Sequence, residues 1–119
     1  EDNPGFGKFI IKPSIPKDLK WVRCSLKTIK GTIVSNWERK DDEFLLEIQV
    51  PFNTTAKVYI PKLQFKDKNL KIEEGTKKIF ENHQLSTKED WIMDCNEENE
   101  YIILTVGSGS YSFTVRVSE

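Results

Sequence analysis

This chain should fold as an all-β domain, an antiparallel β-sandwich of about seven to nine strands in the jelly-roll or Greek-key manner. Short runs of β-branched and aromatic residues recur along its 119 positions, separated by Gly, Pro, Asn and Asp clusters. Almost no segment carries a helical period, and nothing repeats at a fixed interval, which argues against a bundle, a propeller or a solenoid. Residues 1–119 are expected to form a single domain. At this length about two-thirds of the unfolded chain's surface can be buried, enough for a core without staples.

The elements follow in order. Phe9 to Lys12 is the first apolar run, closed by Pro13 and Pro16, neither of which can donate to a ladder. From Lys20 to Lys27 the pattern alternates, with Val22, Cys24 and Leu26 on one side and Trp21, Arg23 and Ser25 on the other. Gly31 opens Thr32 to Arg39, and Asp41-Asp42 turns the chain into Phe44 to Val50. In that run Phe44, Leu46, Ile48 and Val50 should face inward and Glu47 and Gln49 outward, with Leu45 interrupting the polar face. Ala56, Val58 and Ile60 continue the apolar side until Pro61. Residues 62–99 are richer in lysine and glutamate. Leu70 to Ile72 and Lys77 to Phe80 suit short strands about a turn at Glu73-Glu74-Gly75, and Trp91 to Met93 suits another, although Ser86 to Asp90 fits one capped helical turn equally well. Tyr101 to Val106 is apolar throughout, as for a strand covered on both faces. Gly107-Ser108-Gly109 then reads as a hairpin turn into Tyr111 to Val117, where Tyr111, Phe113, Val115 and Val117 share one face.

Chemistry is sparse. Hydrophobic residues make up 37% of the chain and charged residues 31%, with a net charge of -1. That balance offers no basic field, so neither nucleic acid nor an anionic membrane is an expected partner. One histidine and two cysteines cannot cage a metal without carboxylates supplying most ligands, and no cofactor is expected. The acidic groups Asp41-Asp42-Glu43, Glu73-Glu74, Glu89-Asp90 and Glu97-Glu98 all fall at expected turns, where water denies them the raised pKa of a catalytic acid. His83 reads as exposed and idle. Cys24 and Cys95 read as two free thiols, with Cys24 buried beside Val22 and Leu26 and therefore inert. Asn53-Thr54-Thr55 matches a glycosylation triplet, but an Asn between two strands ordinarily serves its own turn. No catalytic, cofactor-binding or metal-binding residue is therefore assigned.

Exposed aromatics are the remaining hint. Trp21 sits on the polar side of its run beside Arg23, where an indole can dock on another domain or stack on a sugar ring. Trp37 shares a face with Ile33, which favours core packing. Phe6 lies in the apolar run that follows a turn-rich opening, Glu1-Asp2-Asn3-Pro4-Gly5, which reads as a cut inside a longer chain. Trp21, Phe6 and Trp37 are the candidate interdomain or sugar contacts.

Three stretches, in order, carry a family resemblance. The first is Pro4-Gly5-Phe6-Gly7-Lys8-Phe9-Ile10-Ile11-Lys12-Pro13, continued by Ile15-Pro16, Asp18-Leu19 and Trp21. The second is Gly31-Thr32-Ile33 with Trp37, followed by Pro51-Phe52-Asn53-Thr54-Thr55-Ala56-Lys57-Val58-Tyr59-Ile60-Pro61. The third is Val106-Gly107-Ser108-Gly109-Ser110-Tyr111-Ser112-Phe113. Together they resemble the C-terminal domain of bacterial α-L-rhamnosidases, glycoside hydrolase family 78. The chain departs from the family at Lys30, where an aromatic residue often stands, and at Cys24 and Leu26, while residues 62–99 do not align.

The resemblance implies an antiparallel sandwich that follows an (α/α)6 catalytic barrel, the acidic residues of an inverting glycosidase residing in the barrel and none in this chain. It further implies a non-catalytic accessory domain whose partner is the barrel of the same parent chain, in a bacterial enzyme of the periplasm or the cell exterior that removes terminal α-L-rhamnosyl groups. Phe6 and Trp21 would belong to the contact surface. The alternatives are a carbohydrate-binding module that stacks its ligand on an exposed Trp, and a small free-standing adhesion or envelope protein.

Overall fold

The computed structural model describes residues 7–13, 15, 18–28, 31–66, 68–86 and 89–117. Phe6 and Pro16 lie outside them. Eleven strands run through the described residues: β1 Gly7–Ile11, β2 Trp21–Thr28, β3 Gly31–Arg39, β4 Phe44–Val50, β5 Thr54–Pro61, β6 Leu70–Glu74, β7 Lys77–Glu81, β8 Gln84–Leu85, β9 Ile92–Glu97, β10 Tyr101–Val106 and β11 Gly109–Val117. A single 3-10 turn, Leu63–Phe65, follows β5.

The strands form two sheets. Four make the order β1-β5-β10-β9 and seven make the order β2-β3-β4-β11-β6-β7-β8. Every pairing is antiparallel except β1 with β5, which run parallel with Gly7 opposite Thr54 and Ile11 opposite Val58. The all-β sandwich expected from the pattern is the fold observed. The count of eleven exceeds the expected seven to nine. In the lysine- and glutamate-rich middle the candidate strands at Leu70 to Ile72, Lys77 to Phe80 and Trp91 to Met93 are present as β6, β7 and β9, joined by the unforeseen β8. There β6, β7 and β8 extend the larger sheet and β9 borders the smaller one.

The core lies between the sheets and is built by the alternation itself. Phe44, Leu46, Ile48 and Val50 of β4 face Ala56, Val58 and Ile60 of β5, and all seven are buried. Ile102, Leu104 and Val106 of β10 add to one wall, and Tyr111, Phe113 and Val115 of β11 to the other. Each of the larger side chains, Val, Leu, Ile and Phe, contributes about 1.5–3 kcal/mol on leaving water, which makes these inward rows the main source of stability. On the outer face of the smaller sheet, Ile103 stands opposite Tyr59 and is only 4% exposed. There Tyr59 and Tyr101 meet edge to face at 5.5 Å, and the Lys12 ammonium lies 4.9 and 5.0 Å from their two centroids.

Two expectations are corrected. The turn at Gly107-Ser108-Gly109 does not make a hairpin: β10 pairs with β5 and β9, while β11 inserts between β4 and β6 in the other sheet. Both flanks of β10 are occupied, so the chain arches across the core and the two apolar rows meet face to face instead of side by side. Tyr111 ties this arch, its hydroxyl lying 3.0 Å from the Gly107 carbonyl and 3.1 Å from that of Ser108. Gly109, at φ 142°, leaves room for that hydroxyl, since a Cβ there would stand 3.1 Å from it.

Cys24 is the second correction. It does share a face with Val22, as the alternation required, but it is exposed, because β2 is the outermost strand of the wider sheet. The four-stranded sheet ends at β1 and leaves a groove of about 400 Å³ there, bordered by Phe9, Ile11, Val22, Cys24 and Trp37.

Candidate functional site

The carboxylates were expected to be solvated at turns; several instead lie in strands, and most are paired. Glu43 accepts from Arg116 Nε at 2.9 Å, and Glu73, in β6, lies 3.3 Å from Nη1 of the same guanidinium. Glu89 meets Lys77 at 2.5 Å. Glu97, near the end of β9, meets Lys62 at 2.7 Å and the exposed His83 at 3.0 Å. Partial desolvation works to raise the Glu97 pKa, but hydrogen bonds from Lys62 and His83 outweigh it and hold the group below its ordinary value of 4.5. A catalytic acid needs the opposite shift.

Both thiols are free. Burial, followed by the negative charges of Asp94 and Glu97, pushes Cys95 up to about 11, so at neutral pH it is a thiol and a poor nucleophile. Among the described residues no three of His, Cys, Asp and Glu gather as a metal site would require. Asn53 takes φ 57°, the left-handed conformation that Asn tolerates in turns, and the Thr54 hydroxyl donates to the Pro51 carbonyl. The triplet thus serves a turn.

Among the described residues the exposed large apolar side chains are Ile10, Leu19, Trp21, Phe52 and Met93, and two clefts lie beside some of them. One end of the sandwich carries Phe52, 79% exposed in the β4–β5 turn, and Met93, 58% exposed in β9. A shallow cleft of about 440 Å³ lies at this end, bordered by Met93, by Asn53 and Thr54 next to Phe52, and by Asp90 and Ser108. Because Gly7 pairs with Thr54, the chain enters the fold at this same end. Phe52 and Met93 went unrecognised in the sequence, where Phe52 reads only as part of a connection; its place between two strands, outside any alternation, was the available signal.

The other surface is on the outer face of the larger sheet at the opposite end. Trp21 is 60% exposed, and the Arg23 guanidinium lies 5.4 Å from its ring centroid. Trp21 pairs with Glu38, and Glu38 with Leu45. Leu45 is five residues before Val50, which puts Trp21 roughly 17 Å along the strands from the end that bears Phe52. Trp37 is 4% exposed and stacks obliquely on Phe44 at 6.0 Å, so of the candidate contacts it belongs to the core.

The fold is thus that of a two-sheet, all-β sandwich module with exposed apolar and aromatic side chains. The sequence matches the model of the bacterial α-L-rhamnosidase C-terminal domain over residues 1–75. The chain belongs to that family. Along 93% of its length it is 24% identical to the α-L-rhamnosidase of Streptomyces avermitilis, and over a 55-residue stretch 42% identical to that of Formosa agariphila. It superposes on the α-L-rhamnosidase from Dictyoglumus thermophilum with a TM-score of 0.75 at 32% identity, covering 93% of this chain and 11% of that one. Against the Streptomyces avermitilis enzyme, solved with L-rhamnose, the TM-score is 0.63 at 25% identity, covering 92% of this chain and 9% of that one. The chain therefore spans about a tenth of the length of these relatives.

Proposed function

We propose that this chain is a non-catalytic accessory domain that seats against the catalytic barrel of an α-L-rhamnosidase and stabilises it, the parent hydrolysing terminal α-L-rhamnosides with inversion. The parallel pairing of Gly7 with Thr54 carries the reading. It fixes the point of chain entry beside Phe52 and Met93, so whatever precedes the sandwich emerges next to two exposed apolar side chains. Exposed apolar side chains grouped at one end of a domain mark a contact surface better than one standing alone. The contact is thus assigned to Phe52, Met93 and the cleft that Met93 borders, and Trp21 falls outside it. The ion pairs of Glu43, Glu73, Glu89 and Glu97, with Glu97 held below its ordinary pKa, support a non-catalytic role for this segment.

Hydrogen exchange on the intact parent enzyme tests the reading. The amides of 52–55, 91–93 and 107–108 should be more protected in the parent than in the separate 119-residue chain. Equal protection in the two would overturn the docking surface. Release of rhamnose from an aryl α-L-rhamnoside by the separate chain would overturn the non-catalytic assignment.

A further inference from the structure

We propose that the outer face of the seven-stranded sheet holds a neutral oligosaccharide, with Trp21 as its stacking platform. This stands beside the docking reading and does not rest on it, since the two surfaces lie at opposite ends.

The register builds the site. Arg23 pairs with Asn36, Asn36 with Glu47, and Glu47 with Ser112, so four polar side chains line up in one row across β2, β3, β4 and β11. At the usual strand spacing that row is about 14 Å long. The adjacent row places Trp21 and Leu45 on either side of Glu38. Together they border a groove of about 430 Å³. One row sets the apolar surfaces of Trp21 and Leu45 about Glu38 and the other offers hydrogen bonds, which matches a pyranose ring, with its apolar C–H face and its rim of hydroxyls.

The polar groups are available. Asn36 spends its Oδ1 on the Cys24 N–H at 3.1 Å, which leaves its amide protons to donate outward. Elsewhere Glu43, Glu73, Glu89, Glu97 and Glu100 are held by cations, whereas Glu38 and Glu47 have no ion pair among the described residues. Among the described residues Arg23 is engaged only by the face of Trp21, which steadies the indole while 60% of that residue stays open to water. Charge selects the ligand class. Two carboxylates repel a polyanion, and the neighbouring guanidinium repels a polycation, so an uncharged, hydroxyl-rich chain is the occupant that loses nothing on entry.

Titrations of the 119-residue chain followed through its three indole N–H resonances test this. The probes are methyl α-L-rhamnoside, a neutral rhamnose-terminated tetrasaccharide, cellotetraose and tetragalacturonate. A saturable shift of the Trp21 resonance with a neutral tetrasaccharide, with Trp37 and Trp91 unmoved, is the expected result. Trp21→Ala should weaken that binding at least about tenfold, and Asn36→Ala should weaken it measurably, in chains whose amide spectra remain dispersed. Phe52→Asp should leave it unchanged, which separates this site from the docking surface. Silence towards every neutral probe, binding undiminished in Trp21→Ala, or a response to tetragalacturonate alone would each overturn the proposal.

Discussion

The Lys62 ammonium stands 2.7 Å from Glu97 Oε2, and the pair joins the residue after β5 to the end of β9 across the intervening β10. Lys62 is only 7% exposed, so its charge has left most of its water behind and relies on this carboxylate. His83, from the turn between β7 and β8, reaches the same Glu97 at 3.0 Å. One carboxylate therefore fastens the rim of the small sheet to a turn of the large one.

Acid should loosen this fastening. The folded pKa of Glu97 lies below its ordinary 4.5, so between those two values the unfolded chain binds the extra proton. The pair's contribution is thus complete above that ordinary value and disappears as pH falls through the lower, folded one. With the side chain a quarter open to water, the effect is about 1 kcal/mol. Thermal melts from pH 7 to pH 3 should show Glu97→Gln losing less stability than the parent sequence over that acid window.

Gly31→Ala should cost about 1–3 kcal/mol in urea unfolding. Gly31 holds φ 133°, outside the range of L side chains, and an added Cβ would stand 2.9 Å from the Pro51 Cβ. Both faults act together, because Pro51 belongs to the turn that carries the chain from one sheet to the other.

Tyr111→Phe should cost about 1 kcal/mol and leave the fold intact. The variant keeps the ring stacked on Trp91 at 4.7 Å and loses only the hydroxyl that ties the Gly107 and Ser108 carbonyls. Burial, with Glu74 nearby, pushes this hydroxyl's pKa up, so it remains a donor throughout the neutral range. Chemical denaturation of the two chains side by side measures the difference.

Alkylation should distinguish the thiols. Cys24 is exposed, while Cys95 is half-buried and titrates only near 11. Brief iodoacetamide treatment at pH 8 should modify Cys24 and spare Cys95, as read by peptide mass spectrometry, with both modified once the chain is unfolded.

Local alternation was legible and sheet membership was not. Phe44 to Val50 reads residue for residue because a half-buried strand must place every second side chain in the core. The polar run Asp94 to Glu97 could not be read as strand, because β9 is an outer strand with most of its side chains in water and little apolar period to show. At Cys24 the pattern identified the side but not whether the opposite sheet reaches that far. At Gly107-Ser108-Gly109 the turn chemistry is the same for a hairpin and an arch, and only the partners already flanking β10 decide between them. The exposure of Trp21 followed from its place in the alternation, while the row formed by Arg23, Asn36, Glu47 and Ser112 required the register of four strands.

The lone parallel strand has a practical bearing on where a gene may be trimmed. β1 covers the outer edge of β5, whose residues alternate between buried and half-buried. A recombinant product started at Lys12 would strip that cover and leave a row of amides and carbonyls bare along an apolar ribbon, the kind of border on which polypeptides pile up into aggregates. A recombinant product should therefore begin well before Gly7, so that the first strand travels with the sandwich it shields.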